Sequence, residues 1–303
     1  MLHARACRVD TGATAVPKCP RRRSRRGAVH PRAGRPSGSA SLSVFREPYD
    51  FAERLRAGET ILSAWSCLPG RHVAQLLARA GYPAVTLDMQ HGEHDFASVA
   101  ATIPAIVAAG GTPVVRVPVG EFATASRAVD AGAAAVIAPM IDDVETARRF
   151  VAQIKYPPLG ERSWGPASAM ALAGVTDPLG WLETANRATL AFAMIETRAA
   201  FEGIDDILAV PGLDGVFVGP ADLSIALSNG AHVAPSAEST HAAAAKIAAA
   251  ARAAGRIAGY FAPSVEDART AQAAGFTFIS LGIDAALIAE AGRAKLAAFE
   301  AGA

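Results

Sequence analysis

Asp88 and His91 stand three residues apart at the end of Val85-Thr-Leu-Asp-Met-Gln-His-Gly92. An acid and an imidazole at that spacing on a tight loop suit an oriented general base. Such a pair needs further chemistry around it. Arg116, closing Pro113-Val-Val-Arg-Val-Pro118, offers a planar cationic fork for a carbonyl or enolate oxygen. Glu196 and Asp222 suit the chelation of one hard divalent cation, Mg²⁺ or Mn²⁺, with water and substrate oxygens completing an octahedron. Singly, each has a bland reading. Asp222 would cap the turn after Pro220, and Glu196 would pair with Arg198. Their common place in the chain argues otherwise, since each follows a short apolar run that reads as a strand.

Those runs alternate with helical patterns. The strands are Ile61–Cys67, Ala84–Met89, Pro113–Pro118, Ala134–Met140, Leu190–Thr197, Gly215–Pro220, Arg256–Phe261 and Phe276–Gly282. Helices are predicted over about 71–80, 95–109, 121–131, 142–154, 178–187, 199–209, 237–254, 264–273 and from the last strand to about 299. A long loop, Tyr156–Pro166, interrupts the series. Eight near-continuously apolar strands, each followed by a helix, describe a (β/α)₈ barrel. A doubly wound open sheet is the weaker alternative, because Cys67-Leu-Pro-Gly70 stands where a Gly-rich phosphate turn would follow the first strand. In a barrel the active site lies at the C-terminal strand ends. Those ends collect Trp65 and Ser66, Asp88 and His91, Arg116, Glu196, Asp222 and Tyr260 on one face.

Several chemistries are excluded on the same grounds. The four lysines (Lys18, Lys155, Lys246 and Lys295) are away from strand ends, which argues against a Schiff base. No G-x-S-x-G nucleophile elbow occurs. The three cysteines, Cys7, Cys19 and Cys67, form neither a disulfide framework nor, with His3 and His30, a zinc pattern. Any enolate chemistry must then be metal-assisted.

The 303 residues carry a net charge of only +1, but unevenly. Residues 1–46 hold ten Arg, one Lys and a single acid, Asp10, whereas the remainder holds 18 basic and 27 acidic residues. The acidic body argues against nucleic-acid binding. The tail is rich in Arg, Pro, Gly and Ser, lacks apolar periodicity, and is expected to be disordered. Transit peptide, basic arm, roleless tail and sequence upstream of a true start near Val44 are the readings weighed, the last two being favoured. The body, from residue 47 on, has no run of 18 apolar residues and is expected to be cytoplasmic, with no membrane partner.

The segments Asp88-Met-Gln-His-Gly92, Val115-Arg-Val-Pro118, Ala138-Pro-Met140, Tyr156-Pro-Pro158 with Gly160 and Arg162, Ile195-Glu-Thr197 and Gly219-Pro-Ala-Asp-Leu-Ser224 together resemble the HpcH/HpaI aldolase family. The likeness runs over about residues 47–300. It implies a barrel of the phosphoenolpyruvate/pyruvate-binding type. It also implies a divalent-metal-dependent (Mg²⁺, Mn²⁺ or Co²⁺) aldolase that reversibly cleaves 4-hydroxy-2-oxo acids to pyruvate, or a pyruvate analogue, and an aldehyde. By the same resemblance His91 is the base and Arg116 steadies the enolate oxygen. Glu196 and Asp222 hold the metal. Asp130 raises the basicity of His91, and the backbone at Ala221 meets the substrate carboxylate. Trp65 is expected at the substrate, with Trp164 shaping the pocket. A homohexamer is implied too, and the Ala-rich last helix is a candidate for an exchanged element. Met194 departs from the family, which usually has a substrate-contacting Gln at that place. Two rivals remain at this point: a CoA-ester lyase of the citrate/malate type, and a non-catalytic metabolite-binding barrel.

Overall fold

Eight parallel strands close into a barrel, in sequence order, in the computed structural model, which describes residues 49–302. The expectations about residues 1–46 lie outside the described residues. The strands are β1 (Ile61–Ser66), β2 (Ala84–Asp88), β3 (Thr112–Arg116), β4 (Ala135–Ala138), β5 (Leu190–Ile195), β6 (Gly215–Val218), β7 (Ile257–Ala262) and β8 (Phe278–Ile283). Between and around them run α1 (Phe51–Arg56), α2 (Arg71–Arg79), α3 (Phe96–Ala108), α4 (Phe122–Ala131), α5 (Val144–Ile154) and α6 (Ala167–Ala173). They continue as α7 (Pro178–Ala188), α8 (Arg198–Glu202), α9 (Ile204–Leu208), α10 (Pro220–Leu227), α11 (Glu238–Ala253), α12 (Val265–Ala274) and α13 (Asp284–Glu300). No helix among the described residues is long and apolar enough to cross a membrane.

The (β/α)₈ expectation holds, and two local departures have simple causes. Residues 199–209 form two helices, α8 and α9, because Gly203 breaks the pattern between them. Pro220, read as a strand end, is the first residue of α10, where a missing N–H costs nothing. The short helices α1 and α6 are additions to the predicted series. Some helix starts are fixed by side chains. Asp95 accepts from Ser98 N in a capping box at α3, and Ser264 caps α12.

Side-chain parity along the strands decides what faces the barrel axis. Trp65, Phe192, Phe217 and Phe278 belong to the inner cluster and touch one another, with ring centroids 5.4–5.9 Å apart. Stepping by two from these inward residues reaches Met194 and then Glu196 along β5, and Gly219 beyond Phe217. Thus the functional side chains ride on the same parity that fills the core. At the opposite end, Phe51 of α1 meets Phe278 edge-on at 5.3 Å and helps close the barrel floor. Lys155 lies at that end. Its Nζ donates to Thr189 O, Asn186 O and Asp214 Oδ2, just before β5 and β6 begin. Burial pulls its pKa down against the pull of Asp214, so it is a structural tie, remote from the strand ends where chemistry collects.

Candidate active site

Strand register brings the first two charged residues together. Asp88 and Arg116 are direct neighbours across β2 and β3. Arg116 donates from Nε to Asp88 Oδ1 at 2.8 Å and from Nη2 to Oδ2 at 2.6 Å, a fork-on-carboxylate pair that is almost wholly buried. Trp65 Nε1 donates to the same Oδ2 at 3.1 Å, and the Trp65 ring lies under the guanidinium, 4.8 Å from its carbon. Burial works to raise the Asp88 carboxyl, but the bonds and charge of Arg116, with Gln90 N–H and Trp65, outweigh it and hold it below its usual range. Asp88 therefore faces Arg116. It meets His91 only through the His91 backbone N–H, 3.4 Å from Oδ1, so the sequence-based picture of an acid orienting the imidazole ring is replaced by an acid orienting the guanidinium.

Across the mouth, Glu196 follows β5 and is only 2% exposed. Its Oε1 accepts from Met140 N at 2.9 Å, and a Cβ at Gly219 would overlap its Oε2. Gly219 is the N-cap of α10, and Asp222 sits in that helix's first turn. Burial pushes Glu196 up to about 7, the charges of Asp222 and Asp142 adding to it and Met140 N–H and Arg116 opposing. Arg198, the bland partner for Glu196, pairs with Glu202 instead. The described residues contain no group of three or more His, Cys, Asp or Glu able to hold a metal. Two carboxylates, one aimed at a bare glycine turn, nevertheless fit a hard cation that keeps waters and substrate oxygens as its other ligands.

These elements enclose a cavity of about 240 Å³. Asp88, His91, Arg116 and Asp222 line its polar part, with Ala221 at the start of α10. Trp65, Met194, Phe261 and Ile283 form an apolar wall. Cys67 also reaches it, its thiol pushed up to about 11 by burial and by the charges of Asp88 and Asp284, hence no nucleophile. Phe261, Ile283 and Cys67 were not anticipated. The signal for Phe261 was parity, because it lies two residues beyond Gly259 on β7.

Three expected residues lie elsewhere. Tyr260 has the opposite parity and packs outward on Phe276, with ring centroids 5.1 Å apart. Trp164 is 50% exposed and stacks near Tyr156. Asp130, on α4, pairs with Arg162 at 2.5 Å and lies against Gly165, lining a separate concavity with Phe96 and Arg127.

Comparison with known proteins fits this geometry. Residues 63–291 match the family model described as HpcH/HpaI aldolase/citrate lyase. A hydroxypyruvate/pyruvate aldolase of Rhizorhabdus wittichii is 38% identical over 240 residues, covering 79% of this chain and 94% of that protein. A 2-keto-3-deoxy-L-rhamnonate aldolase of Salmonella schwarzengrund is 34% identical over 255 residues, covering 82% and 92%. Among solved structures, an HpcH/HpaI aldolase/citrate lyase family protein of Burkholderia cenocepacia superposes with a TM-score of 0.74 at 31% identity, covering 83% of this chain and 99% of that one.

Proposed function

Since the chain belongs to the HpcH/HpaI aldolase/citrate lyase family and is a carbon–carbon lyase, we propose that it is a divalent-metal-dependent aldolase that interconverts a 4-hydroxy-2-oxo acid with pyruvate, or hydroxypyruvate, and an aldehyde. The supporting observation is the buried Glu196 carboxylate, raised in part by the charge of Asp222 and opposed by that of Arg116, beside a small cavity that Arg116, His91 and Asp222 line. Glu196 and Asp222 would hold the cation, Mg²⁺, Mn²⁺ or Co²⁺, which when bound supplies a Lewis acid for the 2-oxo group.

The chain's own residues do the rest. The N–H groups that open α10, at Ala221 and Asp222, receive the substrate carboxylate, favoured by the positive end of the helix. Two of the Arg116 nitrogens are spent on Asp88, which fixes the plane of the fork, and Nη1 is left to donate to the oxygen that gains charge as the enolate forms. In cleavage, His91 takes the proton of the 4-hydroxyl, the C3–C4 bond breaks, the aldehyde leaves, and the bonding pair becomes the enolate. Protonation at C3 then gives the 2-oxo acid, and condensation is the reverse. Asp130, turned to Arg162, is assigned no proton transfer within a single chain. Trp65 and Met194 wall the cavity. The reading extends to a cytoplasmic homo-oligomer, a hexamer by family, acting on small molecules without nucleic-acid or membrane partners.

The test is pyruvate formation from 4-hydroxy-2-oxo acids with and without EDTA. Activity should vanish in EDTA, return with Mn²⁺ or Mg²⁺, and be absent in Glu196→Ala. Turnover that persists in EDTA sinks this mechanism.

A further inference from the structure

We propose that Asp284 is a positioning residue for His91, acting through the backbone of residues 66–68. The proposal rests on the reading of His91 as the base. Asp284 opens α13 directly after β8 and is 1% exposed. Its carboxylate receives Ser66 Oγ at 3.0 Å, Cys67 N at 3.0 and 3.1 Å, Leu68 N at 3.0 Å and its neighbour Ala285 N at 2.7 Å. Every one of these donors is uncharged. The carboxylate sits in a nest of backbone N–H groups that pins the loop leaving β1, and charge-assisted bonds of this kind are stronger than neutral ones.

That loop carries the His91 loop. Cys67 O accepts from Glu93 N at 2.8 Å. Ser66 Oγ lies 3.3 Å from His94 Nε2, whose Nδ1 is 3.0 Å from Ser98 Oγ in the α3 capping box. Gly92 is packed so tightly between them that a Cβ would come within 3.0 Å of Cys67 Cα and would overlap Asp88 O. Residues 92–94 therefore rest on residues 66–67, while Asp88 Oδ1 takes the N–H groups of Gln90 and His91 on the other side. His91 stands between two anchors. One is the Asp88–Arg116 pair, and the other is the segment that Asp284 holds. The β8–α13 junction thus reaches the base without touching the substrate.

Asp284→Asn keeps the shape but gives up charge and one acceptor, leaving a loop N–H without a partner. A shift of about 1 Å in a catalytic group costs on the order of 100-fold in rate. The experiment is deuterium exchange of the pyruvate methyl followed by NMR, with Mn²⁺ affinity measured alongside, in wild type, Asp284→Asn, Ser66→Ala and His91→Ala. Ser66→Ala removes one donor and the link to His94, and serves if the Asn variant does not fold. The maximal exchange rate should fall about 10- to 100-fold in Asp284→Asn, and less in Ser66→Ala, with Mn²⁺ affinity and pyruvate KM little changed. Adding either change to His91→Ala should cost nothing further, because the base through which it acts is gone. Unchanged exchange overturns the proposal, as does a parallel loss of metal affinity, KM and rate, or a further loss in the His91→Ala background. Absence of exchange in the wild type refutes the aldolase reading instead.

Discussion

Glu196 gives the sharpest quantitative consequence of this architecture. Its carboxyl titrates near 7 in the folded, metal-free chain against an ordinary 4.5, chiefly because it is buried. The folded state then binds more protons than the unfolded state between those two values, so this group contributes stability that is fully present below about pH 4.5 and is lost as pH rises through 7. Between about pH 5 and about pH 8 the loss integrates to roughly 2.5 kcal/mol. At 2% exposure, little of this is screened by solvent. For a domain of this size it corresponds to a Tm difference of roughly 5–10 °C. Other groups titrate in the same window. His94, whose pKa burial lowers against the charges of Asp284 and Asp88, acts in the opposite direction, losing stability as pH falls. Glu196→Gln isolates the acid: it keeps the shape and removes the titration. The assay is urea unfolding in EDTA across that range for both proteins. The wild type minus Glu196→Gln difference should change by about 2.5 kcal/mol, the variant gaining relative stability as pH rises. Saturating Mn²⁺ should flatten the wild-type dependence, since an ion bound to the folded state displaces the proton and adds stability of its own. A difference that stays constant with pH refutes the reasoning.

Arg116→Lys keeps the charge but loses the fork that holds Asp88, so urea unfolding should show a loss of about 2 kcal/mol and turnover should drop on the order of 100-fold. Equal stability and turnover in the two proteins would show that the pair does not set the site. Met194→Gln places an amide in the otherwise apolar wall beside Gly219, at a cost of about 1–2 kcal/mol in stability. The ratio of kcat/KM for hydroxylated over apolar aldehydes should rise roughly 10-fold, and an unmoved ratio would remove Met194 from acceptor selection.

What the sequence made legible follows from periodicity. Eight apolar runs separated by helical patterns force the closed parallel sheet, and the rule that chemistry sits at C-terminal strand ends puts Arg116, Glu196, Asp222, Trp65 and His91 at one mouth. What it left illegible depends on which way a side chain turns and on which strand lies alongside. Tyr260 and Phe261 are adjacent letters, and either one suits a strand end. Only the parity fixed by Gly259 and the inner cluster sends Phe261 to the cavity and Tyr260 to the helices. Asp88 and His91 are close in sequence, which favoured a contact between their side chains. Cross-strand register wins instead, because it sets Asp88 opposite Arg116, and a buried carboxylate gains more from a bidentate cation than from a ring at the rim. Asp284 carries no sequence signal as an isolated acid at a helix start, and its meaning appears only when β8 closes on β1 and delivers the backbone of Cys67 and Leu68 to it. In this fold, local pattern specifies the frame, whereas the partners of charged groups are decided by closure of the ring. The substitutions most informative about catalysis are therefore those that cut contacts between neighbouring strands or the segments that follow them, such as Arg116 with Asp88 and Asp284 with Cys67.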